Sequence, residues 1–168
     1  SLFMAAGIVD HETGTRDMGR LSGLYRHMPI TATLAVVAAA SMAGVPLLNG
    51  FLSKEMFFAE AVFASEQGMV STGLPIAAVI ASMFGATYAL RFITQVFFGP
   101  DTTDLPRQPH EPPRLMLIPR MLLVLICLVV GVLPGATVGP LLRSATVSIL
   151  GDAAPAYSLQ VWHGFNVP

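Results

Sequence analysis

The sequence predicts an all-α membrane protein whose transmembrane helices include one discontinuous helix, broken near Gly44 and Gly50. Three observations carry that prediction. The 168 residues are 54% hydrophobic and 11% charged, with a mean hydropathy of +0.67, whereas soluble domains carry roughly 25% charged residues. Four apolar runs recur along the chain, and the last three, residues 30–48, 74–98 and 115–133, are each long enough for a ~30 Å hydrocarbon core, which takes about 20 helical residues. The second run is interrupted by "GVPLLNG", after which apolar, helix-forming sequence resumes as "FLSKEMFFAEAVFAS".

Taken in order, residues 1–9 form an apolar stretch too short to span, which predicts the end of a helix begun upstream. Residues 10–28 read as a loop carrying Arg16, Arg20 and Arg26. Residues 29–65 read as the discontinuous helix. Unbroken, that segment would be about 55 Å long, longer than a whole bilayer of about 40–45 Å. Pro46 removes a helical N–H, and Gly44 and Gly50 weaken the helix on either side. Ser53 is expected to cap or brace the second half. Residues 72–99 are a second spanning helix, with Arg91 the one charge in its apolar run. Residues 100–114 form a loop with Arg107 and Arg114, and residues 115–133 a third span with Arg120 near its start. Residues 134–168 are expected on the extracytoplasmic side, with a short interfacial helix leading to a further span. Arginine gathers in residues 10–28 and 99–114, so both are placed in the cytoplasm. The apolar opening and the closing "LQVWHGFNVP" read as cut ends of a longer membrane protein.

Charge and cysteine usage exclude other classes. Nine basic and ten acidic residues give a net charge of −1, which suggests no nucleic-acid partner. Cys127, alone, can form no internal disulfide and is expected to pack as a small hydrophobe.

Lys54 is the residue that asks for chemistry. It is the chain's only lysine, beside eight arginines, and it lies between "GFL" and "MFF". A lysine near the bilayer centre costs roughly 2.5–3.5 kcal/mol. The nearest loop begins roughly 16 Å away at helical rise, far for snorkelling. Either a counter-charge holds the amine protonated, or burial lets it lose the proton. Lysine can do both, whereas arginine practically cannot deprotonate. Glu55 and Glu60 lie off its helical face, and Phe57 and Phe58 occupy the pairing positions. A partner is therefore expected from another helix. The competing reading makes Lys54 a boundary anchor.

Weaker candidates surround it. Glu60 is a second intramembrane acid, unless it lies at the outer interface. Ser41, Ser53 and Thr87 either hold relay waters or mediate helix packing. Tyr88 and Arg91 share a face with a three-residue step; they line a path, or Arg91 anchors at the inner surface. Asp10, His11 and Glu12 stand where a channel mouth would collect protons or cations, though a solvated loop is the plainer reading. "HETGT" has threonine at position 15 where a zinc protease needs histidine. Asp101, Asp104, His110 and Glu111 lack ordered spacing and read as a plain loop. No metal, haem, nucleotide or hydrolase arrangement is apparent, so no cofactor is expected.

The ordered set "SLFMAAGIVDHETGTRDMGRLSGL", "MP", "SMAGVPLLNGFLSKE", "RFITQVFFGP", "HEPP" and "VWHGFNVP" strongly resembles the large A-type subunit of Mrp-type multisubunit Na+/H+ antiporters. That family is related to the antiporter-like subunits of respiratory complex I. The resemblance implies two inverted repeats, each with a broken helix bearing a lysine in a polar path, and puts Lys54 at that position in the second. It implies proton relay coupled to sodium or another monovalent cation, with other membrane subunits and the lipid bilayer as partners. The first repeat, with its glutamate–lysine pair, and the histidine-bearing part of the first helix are absent from the chain. A proton-pumping subunit of an NADH:quinone oxidoreductase and a non-transporting scaffold remain alternatives.

Overall fold

A computed structural model describes residues 1–68, 73–100 and 105–151, and every regular element among them is helical. In chain order these are α1 (Leu2–Thr13), a 3-10 turn (Leu24–Arg26), α2 (Pro29–Ala43), α3 (Asn49–Glu66), α4 (Gly73–Phe97), α5 (Arg114–Val132), α6 (Pro134–Thr137) and α7 (Gly139–Leu150). Asp101, Asp104 and the closing "VWHGFNVP" lie outside the described residues.

The core forms where α2 packs on α4. Ala32, Ala35 and Ala39 repeat at three- and four-residue steps, so they share one face, and all are buried against Ala89, Phe92, Ile93, Val96 and Phe97. Small residues let two helix backbones approach closely, the usual packing mode in lipid. Ala5 and Val9 of α1, with Leu21, Leu24 and Met28, complete the cluster. The outer faces remain apolar: Ile76, Met83 and Phe84 on α4, and Leu122, Leu125 and Ile126 on α5, are all exposed. Water would not tolerate so continuous an apolar surface. Helices α4 and α5 are each long and apolar enough to cross a membrane, whereas α2 is shorter.

Several boundaries differ from expectation. Residues 10–13 are helical, because nothing breaks α1 before Gly14 accepts the left-handed conformation that ends it. Asp10, His11 and Glu12 thus occupy the last turn of a helix rather than a loop. The apolar run after Pro29 is helical for 15 residues only, about 22 Å at 1.5 Å per residue. Arg120, near the start of the third apolar run, is fully buried. Beyond residue 133 the chain forms α6 and α7.

Candidate functional site

Helix α2 stops for a local reason. Gly44 takes φ 90°, its N–H bonds the Ser41 carbonyl at 3.1 Å, and the Val45 N–H reaches the Ala40 carbonyl at 3.0 Å. These are the paired bonds of a glycine-terminated helix end. Leu47 then holds φ +70°, a region that bulky residues seldom enter and that costs roughly 1–3 kcal/mol unless neighbours enforce it. The neighbour is α5. Gly131 lies directly on the Leu47 and Leu48 backbone, and a Cβ there would overlap the Leu47 carbonyl. Helix α3 begins at Asn49, with Gly50 pressed against the Ser41 carbonyl in the same way.

Three polar side chains converge on this gap. The Ser41 hydroxyl donates to Asn49 Oδ1 at 2.7 Å and accepts the Gly50 N–H at 3.3 Å. Cys127 Sγ of α5 stands 3.0 Å from Asn49 Oδ1 and 3.3 Å from Ser41 Oγ. The cysteine expected to be a plain packing residue is therefore a thiol donor, and Ser41 serves helix ends.

Lys54 sits in the second turn of α3 and is half-buried. Its Nζ donates to the Ala43 carbonyl at 3.1 Å, and its stem crosses Gly44, where an added Cβ would lie 3.0 Å from Lys54 Cδ. Among the described residues no carboxylate pairs with it. The amine instead meets the carbonyl end of α2, the negative pole of that helix dipole. A carbonyl holds the amine without matching its charge.

The remaining candidates do not gather around Lys54. Ser53 Oγ bonds its own helix at Asn49 O, 3.3 Å away, and Glu60 is exposed. Thr87 bonds the Met83 carbonyl, Arg91 Nε bonds Gln95 Oε1 at 3.2 Å, and Tyr88 is 53% exposed. These three lie on the outward face of α4, and none of these bonds reaches the amine.

Two further constellations form at the end of the bundle where α1 stops and α2 and α5 start. Glu111 accepts the N–H groups of Ile30 and Thr31 at 2.6 and 3.1 Å and the Thr31 hydroxyl at 3.1 Å. It caps α2, where a carboxylate opposes the positive dipole end. Arg120 Nη2 donates to the Thr31 carbonyl at 2.6 Å, while its Nε and Nη1 are buried without a hydrogen bond among the described residues. Glu111 offsets part of the cost of burying that charge. Nearby, the carboxylate of Glu12, 3% exposed, is bracketed by His11 Nδ1 at 3.0 Å and His110 Nε2 at 3.2 Å, both imidazoles being largely exposed. Arg107 donates to the His11 carbonyl, and Asp10 pairs with Arg16 at 2.8 Å. His110 and Glu111, which read as a plain loop in sequence, are thus tied to α1 and α2. Among the described residues no group of His, Cys, Asp and Glu is arranged to hold a metal ion.

Similarity to known proteins covers this whole region. The family described as "NADH:quinone oxidoreductase/Mrp antiporter, TM" matches residues 1–85. The chain is 62% identical over 168 residues to a Rhizobium meliloti (strain 1021) protein described as the A/B subunit of a probable K(+)/H(+) antiporter, covering all of this chain and 17% of the relative. It is 39% identical over 172 residues to the A1 subunit of a Na(+)/H(+) antiporter from Staphylococcus aureus (strain JH9), covering 99% of this chain and 22% of that one. A chain in the structure of the Mrp complex from Dietzia sp. DQ12-45-1b superposes with a TM-score of 0.69 at 34% identity, covering 98% of this chain and 17% of its own length. The chain therefore spans about one-fifth of the length of the curated relatives it matches.

Proposed function

The chain belongs to the NADH:quinone oxidoreductase/Mrp antiporter transmembrane family, and from that membership we propose that it forms part of a monovalent cation/proton antiporter in which Lys54 relays protons. It is a membrane protein, and the relatives matched along its length are antiporter subunits. That match over the full chain favours antiport over a role in a redox complex. In the proposed cycle, α2 and α3 are the halves of one discontinuous membrane helix. Lys54 takes a proton from one aqueous side, and release to the other is coupled to sodium, potassium or another monovalent cation through partner subunits in a bacterial inner membrane.

The observation that carries the reading is the Lys54 amine at the helix break, held by the Ala43 carbonyl and by no carboxylate among the described residues. A proton bound without an ion pair is one whose affinity a passing charge can change. Irregular backbone at membrane depth is tolerated where it lines a cavity or is buried in protein. Glu60, Ser53, Thr87, Tyr88 and Arg91 are proposed linings of the polar path where partner segments cover the exposed faces of α3 and α4. The direct test is cation-driven proton movement in vesicles bearing the full complex. Lys54→Ala should assemble normally and show no antiport; wild-type transport by that variant would defeat the proposal.

Asp10, His11 and Glu12 are proposed as the cytoplasmic mouth, with His110 beside them. Two exposed imidazoles flank the buried Glu12 carboxylate, and imidazole is a common proton shuttle. Glu12→Gln keeps the shape and removes the charge. Antiport by this variant should fall by about tenfold at alkaline cytoplasmic pH, the lower end of what electrostatic focusing supplies, and recover as protons become plentiful. A uniform loss across pH would contradict a collecting role.

A further inference from the structure

Helix α5 touches the interrupted segment along one stripe. Arg120, Cys127 and Gly131 follow at seven- and four-residue steps, which keeps them on a single helical face. Arg120 holds the Thr31 carbonyl at the start of α2. Cys127 reaches across to Ser41 on one side of the gap and Asn49 on the other. Gly131 lies on the Leu47 and Leu48 backbone inside the gap. One helix therefore fixes the beginning, the end and the continuation of the broken one.

The middle contact matters most for the amine. Ser41 is two residues before Ala43, whose carbonyl accepts from Lys54, and Asn49 is little more than one turn before Lys54. Whatever holds Ser41 to Asn49 holds the two ends of the Lys54–Ala43 bond in register. The connecting residues cannot do so by themselves, since Leu47 is in a conformation that it keeps only under constraint.

We infer that Cys127 is a positioning residue for the relay: with Ser41 and Asn49 it sets the separation of α2 and α3, and through it the place of the Lys54 amine against the Ala43 carbonyl. The inference rests on the proposed relay role of Lys54. Its chemical requirement is a hydrogen-bond donor at position 127, not a thiol as such. Serine meets that requirement; valine, which keeps the volume, does not.

The test measures transport per assembled complex in vesicles of the full antiporter. Cys127→Ser should retain most of the wild-type rate. Cys127→Val should assemble to the same level and transport about tenfold more slowly, within the ~100-fold that a 1 Å misplacement of a reacting group can cost. Equal rates for the two variants would overturn the inference. Lys54→Ala run beside them separates the claims: transport by that variant defeats the relay itself, whereas an inert Lys54→Ala with equal Cys127 variants defeats only the positioning role. A readout independent of transport is cross-linking. Asn49→Cys should form a disulfide with the native Cys127 under mild oxidation, because the two side chains meet, with Cys127 Sγ 3.0 Å from Asn49 Oδ1. Absence of the linked peptide by mass spectrometry would overturn the geometry.

Discussion

Lys54→Arg in the full complex should be as inert as Lys54→Ala, with antiport below about one hundredth of the wild-type rate, a loss of about 2.7 kcal/mol or more of transition-state stabilisation. The substitution is informative because so little else changes. Arginine keeps the positive charge, a long apolar stem to lie across Gly44, and N–H donors for the Ala43 carbonyl. What it gives up is the ability to release a proton at any pH the protein meets. If Lys54 only anchors the helix, arginine should replace it without loss, as at the eight other cationic positions of the chain. Proton flux and assembly are measured on the same vesicles, so a failure to fold is seen as missing complex rather than as missing transport.

The second large effect is structural and lies at Arg120. Its guanidinium is fully buried and holds the Thr31 carbonyl at 2.6 Å, while Glu111 holds the N–H groups and hydroxyl of Thr31 and its neighbour. Arg120→Ala removes the positive half of this arrangement, opens a cavity beside α2 and leaves Glu111 without its opposing charge. Removing one partner of a buried charged arrangement costs about 3–5 kcal/mol, a large share of the ~5–15 kcal/mol that separates folded from unfolded states. The full complex carrying Arg120→Ala should show a lower Tm and a lower yield of assembled subunits. Arg120→Met with Glu111→Gln should regain part of the loss, because neither charge is then stranded. An unchanged Tm for Arg120→Ala would contradict the assignment.

Much of the fold is legible in the sequence because lipid imposes length. Runs of apolar residues locate α4 and α5 to within one or two residues, and Gly44 with Pro46 marks where α2 ends. Lys54 is legible for the same reason: a charge in an apolar run with no partner at helical spacing must find one elsewhere. The identical signal is present at Arg120, whose pairing positions hold Met116, Leu117, Leu123 and Val124. Its nearness to the helix start suggests an anchor at the membrane edge, and only the packing of α5 on α2 buries it. Other parts have no local signal. Glu111 caps a helix that starts 82 residues earlier in the chain, and His110 meets Glu12 across 98 residues. No periodicity encodes such pairs. Leu47 carries nothing in its side chain that predicts a left-handed backbone; Gly131 of another helix permits it by allowing the close approach. Cys127 sits in so apolar a run that its surroundings in sequence point to volume alone.

The most direct measurement is a density map of the full assembly sharp enough to place water. The proposed relay predicts ordered waters within hydrogen-bonding distance of Lys54 Nζ, continuing through polar side chains toward both faces of the membrane, with α2 and α3 separated as here. A Lys54 amine that reaches lipid headgroups from one continuous helix, with acyl chains and no water about it, would contradict it.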